Sequence, residues 1–202
     1  MIKRTGMRSF VAAIAKGLNI LFSRLTQQGV RVVILWIRGN LLRVIRGVSP
    51  RDSSEIAPGL FVGGQHYSHG LERMKKWGIG ATLSLRDEAD DNDLGVAMER
   101  HLWLRTIDET PPTLDQLEHA CEFIQQCLYE DVGVYIHCKS GIGRAPTTAA
   151  AHLVCEGMSA DEAWTKIRQK RPYIRPKNSQ FEQLLEFEQV CKANAVESGP
   201  HD

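Results

Sequence analysis

The chain has 202 residues, 43% hydrophobic and 24% charged, the make-up of a soluble globular protein with one core and too little length for two ordinary domains. Five cysteines (Cys121, Cys127, Cys138, Cys155 and Cys191) form neither an even set nor a Cys-x-x-C pair, which argues against a disulfide framework and dithiol redox chemistry and for a reducing, cytoplasmic compartment. The four other than Cys138 read as small buried or half-buried hydrophobes.

The net charge of +1 conceals an asymmetry. Residues 1–51 hold ten Lys and Arg and no acid, leaving 15 basic against 24 acidic groups in the rest, so a basic arm on an acidic domain is expected. Within the arm, Phe10, Val11, Ile14, Leu18, Leu21, Phe22 and Leu25 recur at helical spacing. After Gly29, Ile34, Ile37, Leu41, Val44 and Ile45 do the same, with Arg31, Arg38, Arg43 and Arg46 on the opposite side. Such helices suit an anionic membrane surface, but Lys16, Arg24 and Arg31 interrupt any apolar run of the ~18 to 20 residues a span needs. Two other readings stay open: packing on the catalytic domain or a partner subunit, and an Arg-rich organelle presequence. Nucleic acid is not an expected partner, because aromatic interleaving is missing.

The expected domains are a basic helical extension over 1–51, a catalytic domain over 52–192 and a flexible tail over 193–202. Ser49–Ser54 reads as a linker. Short strands fit Gly59–Gly64, Ala81–Leu85 and Leu102–Ile107, with a helix over 71–77 between the first two. Pro111-Pro112-Thr113 opens a helix with Leu114, Leu117, Cys121, Ile124 and Leu128 on one face. Val132–His137 is a β-branched central strand, and Ala145–Glu156 an Ala-rich helix closed by Gly157. Ser159 and Glu162 make a capping box for the next helix, and a last helix spans about 180–192. The alternation predicts an α/β fold with a central, mainly parallel sheet flanked by helices.

The informative segment is His137-Cys138-Lys139-Ser140-Gly141-Ile142-Gly143-Arg144-Ala145-Pro146. A strand ends, seven residues turn, and a helix begins, so several backbone N–H groups face one concave space suited to an anion. The substrate-binding set read from this turn is Lys139, Ser140, Gly141, Ile142, Gly143 and Arg144. The two glycines allow close backbone approach, and Arg144 supplies a planar fork for two phosphate oxygens. Thiols in such surroundings have pKa values lowered to roughly 3.5–7.5, so Cys138 is the nucleophile for an attack on phosphorus. His137 supports the loop. No second His or Cys stands at metal spacing, and no metal or organic cofactor is implied. The bland reading, a Gly-rich turn with a chance Cys and Arg, fits Cys-x5-Arg alone but not this loop between such a strand and such a helix.

On these residues the sequence resembles the protein tyrosine phosphatase superfamily, in particular the compact dual-specificity phosphatases, over about 56–188. The resemblance also draws on Gly59–Gly64, Thr82–Arg86 and Arg171-Pro172…Pro176-Lys177-Asn178. It implies a general acid about thirty residues before the nucleophile, where Asp108 stands. Glu109 is the backup, and Asp115 is first-turn helix charge. Where the superfamily commonly has Ser or Thr after the Arg, this chain has Ala145, as in the phosphatases of regenerating liver, which implies slow breakdown of a phosphocysteine. The small domain leaves little room for a deep slot, so phosphoprotein monoesters are the expected substrates. A phospholipid headgroup is the alternative, because Asp108-Glu109-Thr110 and His137-Cys138-Lys139 also resemble the mitochondrial phosphatidylglycerophosphate phosphatase. A weakly active phosphate-binding scaffold is the third reading.

Overall fold

The computed structural model describes Ser23 and residues 25–197. The chain divides into two compact units, Met1–Arg38 and Gly39–Asp202. The helix expected from Phe10 to Leu25 lies almost wholly outside the described residues. The second basic stretch forms helix α1, Val30–Arg46, as its 3.6-residue period requires. Among the described residues no helix is long and apolar enough to cross a membrane.

In the second unit, a short strand β1 (Glu55–Ala57) turns through Pro58-Gly59 into β2 (Leu60–Gly64). Helix α2 (Leu71–Lys76) leads to β3 (Ile79–Arg86), and an irregular stretch to β4 (Arg100–Thr106). Then follow α3 (Leu114–Tyr129), β5 (Gly133–Cys138), α4 (Arg144–Cys155), α5 (Ala160–Lys170) and α6 (Asn178–Glu197). The sheet order is β1-β2-β5-β3-β4. β1 is antiparallel to β2, and every other pairing is parallel.

β5 is central and alternates strictly. Val134, Ile136 and Cys138 join the large core with α3, α4, α5 and α6, while Tyr135 joins a smaller cluster with Phe61, Met74 and Ile79. Because side chains alternate with period two, Cys138 belongs to the helix-covered face and His137 to the face shared with Tyr135. All six residues of β5 are buried, which explains a sequence without polar punctuation.

Three expectations need correction. Ser49–Ser54 is not a free linker: Ser49 and Ser54 are buried, and Arg51–Ser53 form a 3-10 turn. Ser49 Oγ accepts hydrogen bonds from Gly64 N and Tyr135 Oη at 3.3 Å each. The last helix does not stop near Lys192 but continues to Glu197, since Gly and Pro first recur at Gly199-Pro200. Cys155 is exposed, because it lies at the solvent end of α4, whereas Cys121 and Cys127 are buried as expected.

Candidate active site

The Cys138–Arg144 loop sits at the C-terminal end of β5, where open parallel sheets place their ligand crevice. Its shape is enforced from below. Gly141 has φ +66°, and a Cβ there would fall 2.3 Å from the Gly63 backbone, so only glycine fits. Arg171, 1% exposed, donates to the carbonyls of Gly141 at 3.1 Å and Ser53 at 2.6 Å. Arg175 N donates to Ile142 O at 2.7 Å, and Gln65 N to Lys139 O at 3.2 Å. With these carbonyls held outward, the loop's N–H groups are left to face inward. One of them, Gly141 N, donates to Cys138 Sγ at 3.3 Å.

Cys138 is 3% exposed and Arg144 1%. Arg144 Nη1 donates to Thr106 O at 2.6 Å and Leu85 O at 2.9 Å, the ends of β4 and β3. Its Nε and Nη2 make no hydrogen bond. Asp108 Oδ1 stands 2.9 Å from Nη2 as an ionic contact, with Asp87 at 3.5 Å and Glu88 at 3.9 Å from the guanidinium. The guanidinium is thus fixed by two strand ends while one edge keeps donors for an anion.

Asp108 stands two residues past the end of β4 and is exposed. Its other oxygen contact is the N–H of Glu109, which donates to Asp108 Oδ1 at 3.1 Å. Glu109 turns away with φ +66° and pairs with Lys177 at 3.2 Å. Behind it, Gln180 Nε2 donates to Thr110 O at 2.9 Å, and a Cβ on Gly143 would lie 2.9 Å from Gln180 Oε1. Gln180 therefore braces the Asp108 turn against the Cys138–Arg144 loop. Lys139 and Ser140 are exposed at the rim, and Ile142 and Gly143 are half-buried. Asp115 lies in the first turn of α3, whose capping box is Thr113–Gln116.

Beneath Cys138 lies a polar network that sequence reasoning missed. His137 Nε2 and Asp91 Oδ2 meet at 2.6 Å with both side chains at zero exposure. Asp91 Oδ1 accepts from Gln65 Nε2 at 3.0 Å, and Gln65 Oε1 from Arg86 at 2.8 Å. His66 packs edge-on to His137 with centroids 5.0 Å apart, and its Nε2 faces Val96 O at 2.7 Å. Burial alone would raise the Asp91 carboxyl, but the hydrogen bond and electrostatic pull of His137, with His66 and Gln65 behind them, hold it well below the usual carboxylate range. Burial, then the His137 ring, pushes His66 down to about 4. His66, Asp91 and His137 offer metal-capable atoms within 4.8 Å of one another, a juxtaposition invisible to linear spacing. Hydrogen bonds within the protein already occupy His66 Nε2, His137 Nε2 and both Asp91 oxygens.

A buried thiol and a buried guanidinium thus stand at the two ends of one Cys-x5-Arg loop, with a carboxylate facing the latter. Residues 60–190 match the family model described as Dual specificity phosphatase, catalytic domain. Human dual specificity protein phosphatase 16 is 30% identical over 150 residues, which is 73% of this chain and 22% of that protein. Human phosphatidylglycerophosphatase and protein-tyrosine phosphatase 1 is 37% identical over 110 residues, 52% of each. The solved structure of PTPMT1 in complex with PI(5)P aligns with a TM-score of 0.65 at 25% identity, covering 69% of this chain and 96% of that one. The chain belongs to the dual specificity phosphatase catalytic domain family. It spans less than a quarter of the length of the first dual specificity phosphatases it matches.

The buried histidine gives the site an acid sensitivity. An unfolded His66 binds its proton near pH 6.5, whereas the folded one resists it down to about 4. The stabilisation from a neutral His66 is therefore complete above about pH 6.5 and is lost as pH falls from there towards 4. Urea unfolding should show a stability decline of up to about 3 kcal/mol across that window. His66→Gln, which keeps a donor for Val96 O but does not titrate, should flatten it; an unchanged slope would remove His66 from the account.

Proposed function

We propose that this chain is a cysteine-dependent phosphatase that hydrolyses phosphate monoesters of phosphoproteins (phosphotyrosine, phosphoserine and phosphothreonine) through a phosphocysteine. The observation that carries the reading is the pairing of Cys138 with Arg144 Nε and Nη2, buried donors without a hydrogen-bond partner. A phosphate entering the loop takes these donors and the inward N–H groups of Lys139 to Gly143, displacing Asp108 from its ionic contact. The Cys138 thiolate attacks phosphorus opposite the leaving oxygen. Asp108, released beside that oxygen, protonates it as general acid and then draws a proton from the water that hydrolyses the phosphocysteine. His137 acts from below, held by Asp91, as a support of the loop. The inward N–H groups serve the equatorial oxygens, whose charge must be matched in the transition state.

Ala145 sets the pace of the second half-reaction. It is fully buried and brings no hydroxyl to the sulfur. Thr147 Oγ1 and Thr148 Oγ1, the next hydroxyls along α4, donate back to Gly143 O at 3.0 Å and Arg144 O at 3.2 Å. The departing thiolate is then left with the Gly141 N–H. The scaffold reading shrinks accordingly to a slow enzyme that holds its phosphate. Ala145→Ser should raise steady-state turnover about tenfold, the worth of a hydrogen bond of about 1.4 kcal/mol to a charged sulfur, and erase a pre-steady-state burst. Unchanged turnover without a burst in the parent would refute the slow step.

One observation favours a phospholipid headgroup at a membrane surface as the second reading. On α1, Leu41, Val44 and Ile45 are 57%, 54% and 63% exposed. Arg43, on the same turns, donates to Gln65 O at 2.7 Å, and Gln65 in turn donates to Lys139 of the loop. An apolar, basic surface thus stands one hydrogen-bonded residue from the phosphate site, as a lipid substrate would require. The relatives named for phosphatidylglycerophosphate and solved with PI(5)P support the same reading. Deleting 1–51 would remove the buried Val48 and Ser49, so the test uses the full chain with Leu41, Val44 and Ile45 changed to Ser. Phosphopeptide turnover should persist in that variant and vanish in Cys138→Ser. A selective loss on anionic phospholipid vesicles would move the substrate to lipid; equal rates on vesicles would exclude a role for this helix face.

A further inference from the structure

Three thiols outside the reaction meet where α3, α4 and α6 pack together. Cys155, the last residue of α4, is exposed, and Cys191 on α6 is half-buried; their Sγ atoms lie 3.8 Å apart. Cys121 on α3 is buried behind them. We propose that Cys155 and Cys191 are an oxidation site that closes to a reversible intramolecular disulfide under peroxide, with Cys155, the more exposed of the two, as the thiol that reacts first. The inference does not depend on the phosphatase mechanism, because none of the three sulfurs belongs to the catalytic loop.

Geometry carries the pairing. A disulfide needs its sulfurs about 2.05 Å apart, so closure asks for about 1.7 Å of further approach. Rotation about the Cα–Cβ bonds of one exposed and one half-buried side chain can supply that movement. The bond would join the C-terminal end of a helix to the flank of its neighbour, across elements already packed in one core. No comparable partner stands near the catalytic sulfur in the sequence or the core: Cys127 faces the Arg100 side of α3, and Cys138 is enclosed by its own loop.

Chemistry assigns the order. The hydrogen bond with Cys121 lowers the Cys155 thiol against the effect of burial, with Cys191 adding to it, while Glu156 and Glu118 pull the other way. Burial, then the negative charge of Cys155, pushes Cys191 up to about 12. Cys121 is pushed up by Cys155 beside it and by burial. The thiolate is the form that attacks peroxide. The Cys155 sulfur attacks one peroxide oxygen, an S–O bond forms, the O–O bond breaks, and the departing hydroxide takes a proton and leaves as water. Cys155 is now a sulfenic acid, oxidised by two electrons. Cys191 then gives up its proton as its sulfur attacks that of Cys155; the S–S bond forms, and the expelled hydroxide takes the proton as a second water. Two thiols and one hydrogen peroxide yield one disulfide and two waters.

The test treats the full chain with hydrogen peroxide, blocks remaining thiols with N-ethylmaleimide, and maps peptides by mass spectrometry under non-reducing conditions. The expected result is a Cys155–Cys191 peptide pair, about 2 Da lighter than the separate thiols, reversed by dithiothreitol. Thermal unfolding of the oxidised chain should move up by about 3 °C or more, since a long loop is closed. With Cys191→Ser, Cys155 should instead be recovered as a sulfenic acid trapped by dimedone. Recovery of Cys155 and Cys191 as maleimide adducts while Cys138 is oxidised would overturn the proposal. A bond joining Cys155 to Cys121 rather than Cys191 would overturn the pairing. The wild-type peptide map decides both questions even where a variant fails to fold.

Discussion

A guanidinium almost wholly removed from water governs the architecture of the site. Burying a charge costs several kcal/mol unless polar groups replace the lost water. The chain meets this cost by aiming Arg144 Nη1 at the carbonyl ends of β3 and β4 and by leaving Asp108 at 2.9 Å from Nη2. Those carbonyls exist in the right place because β3 and β4 are parallel and end together, beside the strand that leads into the loop. The arrangement is satisfied electrostatically yet leaves Arg144 Nε and Nη2 without hydrogen bonds, as the proposed phosphate site requires. Sheet order, loop and acid are therefore parts of one constraint.

The second layer of the site fixes the backbone rather than the ligand. Arg171, Arg175 and Gln65 take the outward carbonyls of Gly141, Ile142 and Lys139, so the loop cannot relax by flipping a peptide without leaving a buried donor or acceptor unmet. Below it, the His137–Asp91 pair sits in a pocket shared with His66 and Gln65, all four buried. A fully buried carboxylate is costly unless each oxygen is bonded, and here both are. Gln65 is the joint of the whole assembly. Its backbone meets Arg43 and Lys139, and its side chain meets Asp91 and Arg86.

The loop was legible because its signal is local: a β-branched strand, two glycines, an Arg and an Ala-rich helix stand in one continuous segment. Asp108 was singled out by the family resemblance, thirty residues before Cys138, and the fold brings it to 2.9 Å from Arg144; the capping box at Ser159 was legible through its spacing. Asp91 was not, since Asp90-Asp91-Asn92-Asp93 looks like any solvated loop until the fold carries it under His137. Gln65 and His66 follow a glycine-closed strand and show no periodicity. Arg171 lies in the Arg171-Pro172…Pro176-Lys177-Asn178 segment that carries the resemblance, but its grip on the Gly141 carbonyl depends on a crossing of chain segments thirty residues apart. β1 is three residues long, too short for an alternating pattern. Ser49 gave no sign of burial because its partners Gly64 and Tyr135 lie far along the chain.

In the proposed reaction Cys138 carries the phosphoryl group between two half-reactions, with Arg144 holding it and Ala145 leaving its release unaided. The most direct measurement is a rapid quench in SDS at alkaline pH during the first turnover of a radiolabelled phosphate monoester, followed by peptide mapping at alkaline pH. The expected result is one alkali-stable, acid-labile phosphoryl group per active chain, located on Cys138 and absent from Cys138→Ser. Turnover without a labelled intermediate, or label on any other residue, would contradict it.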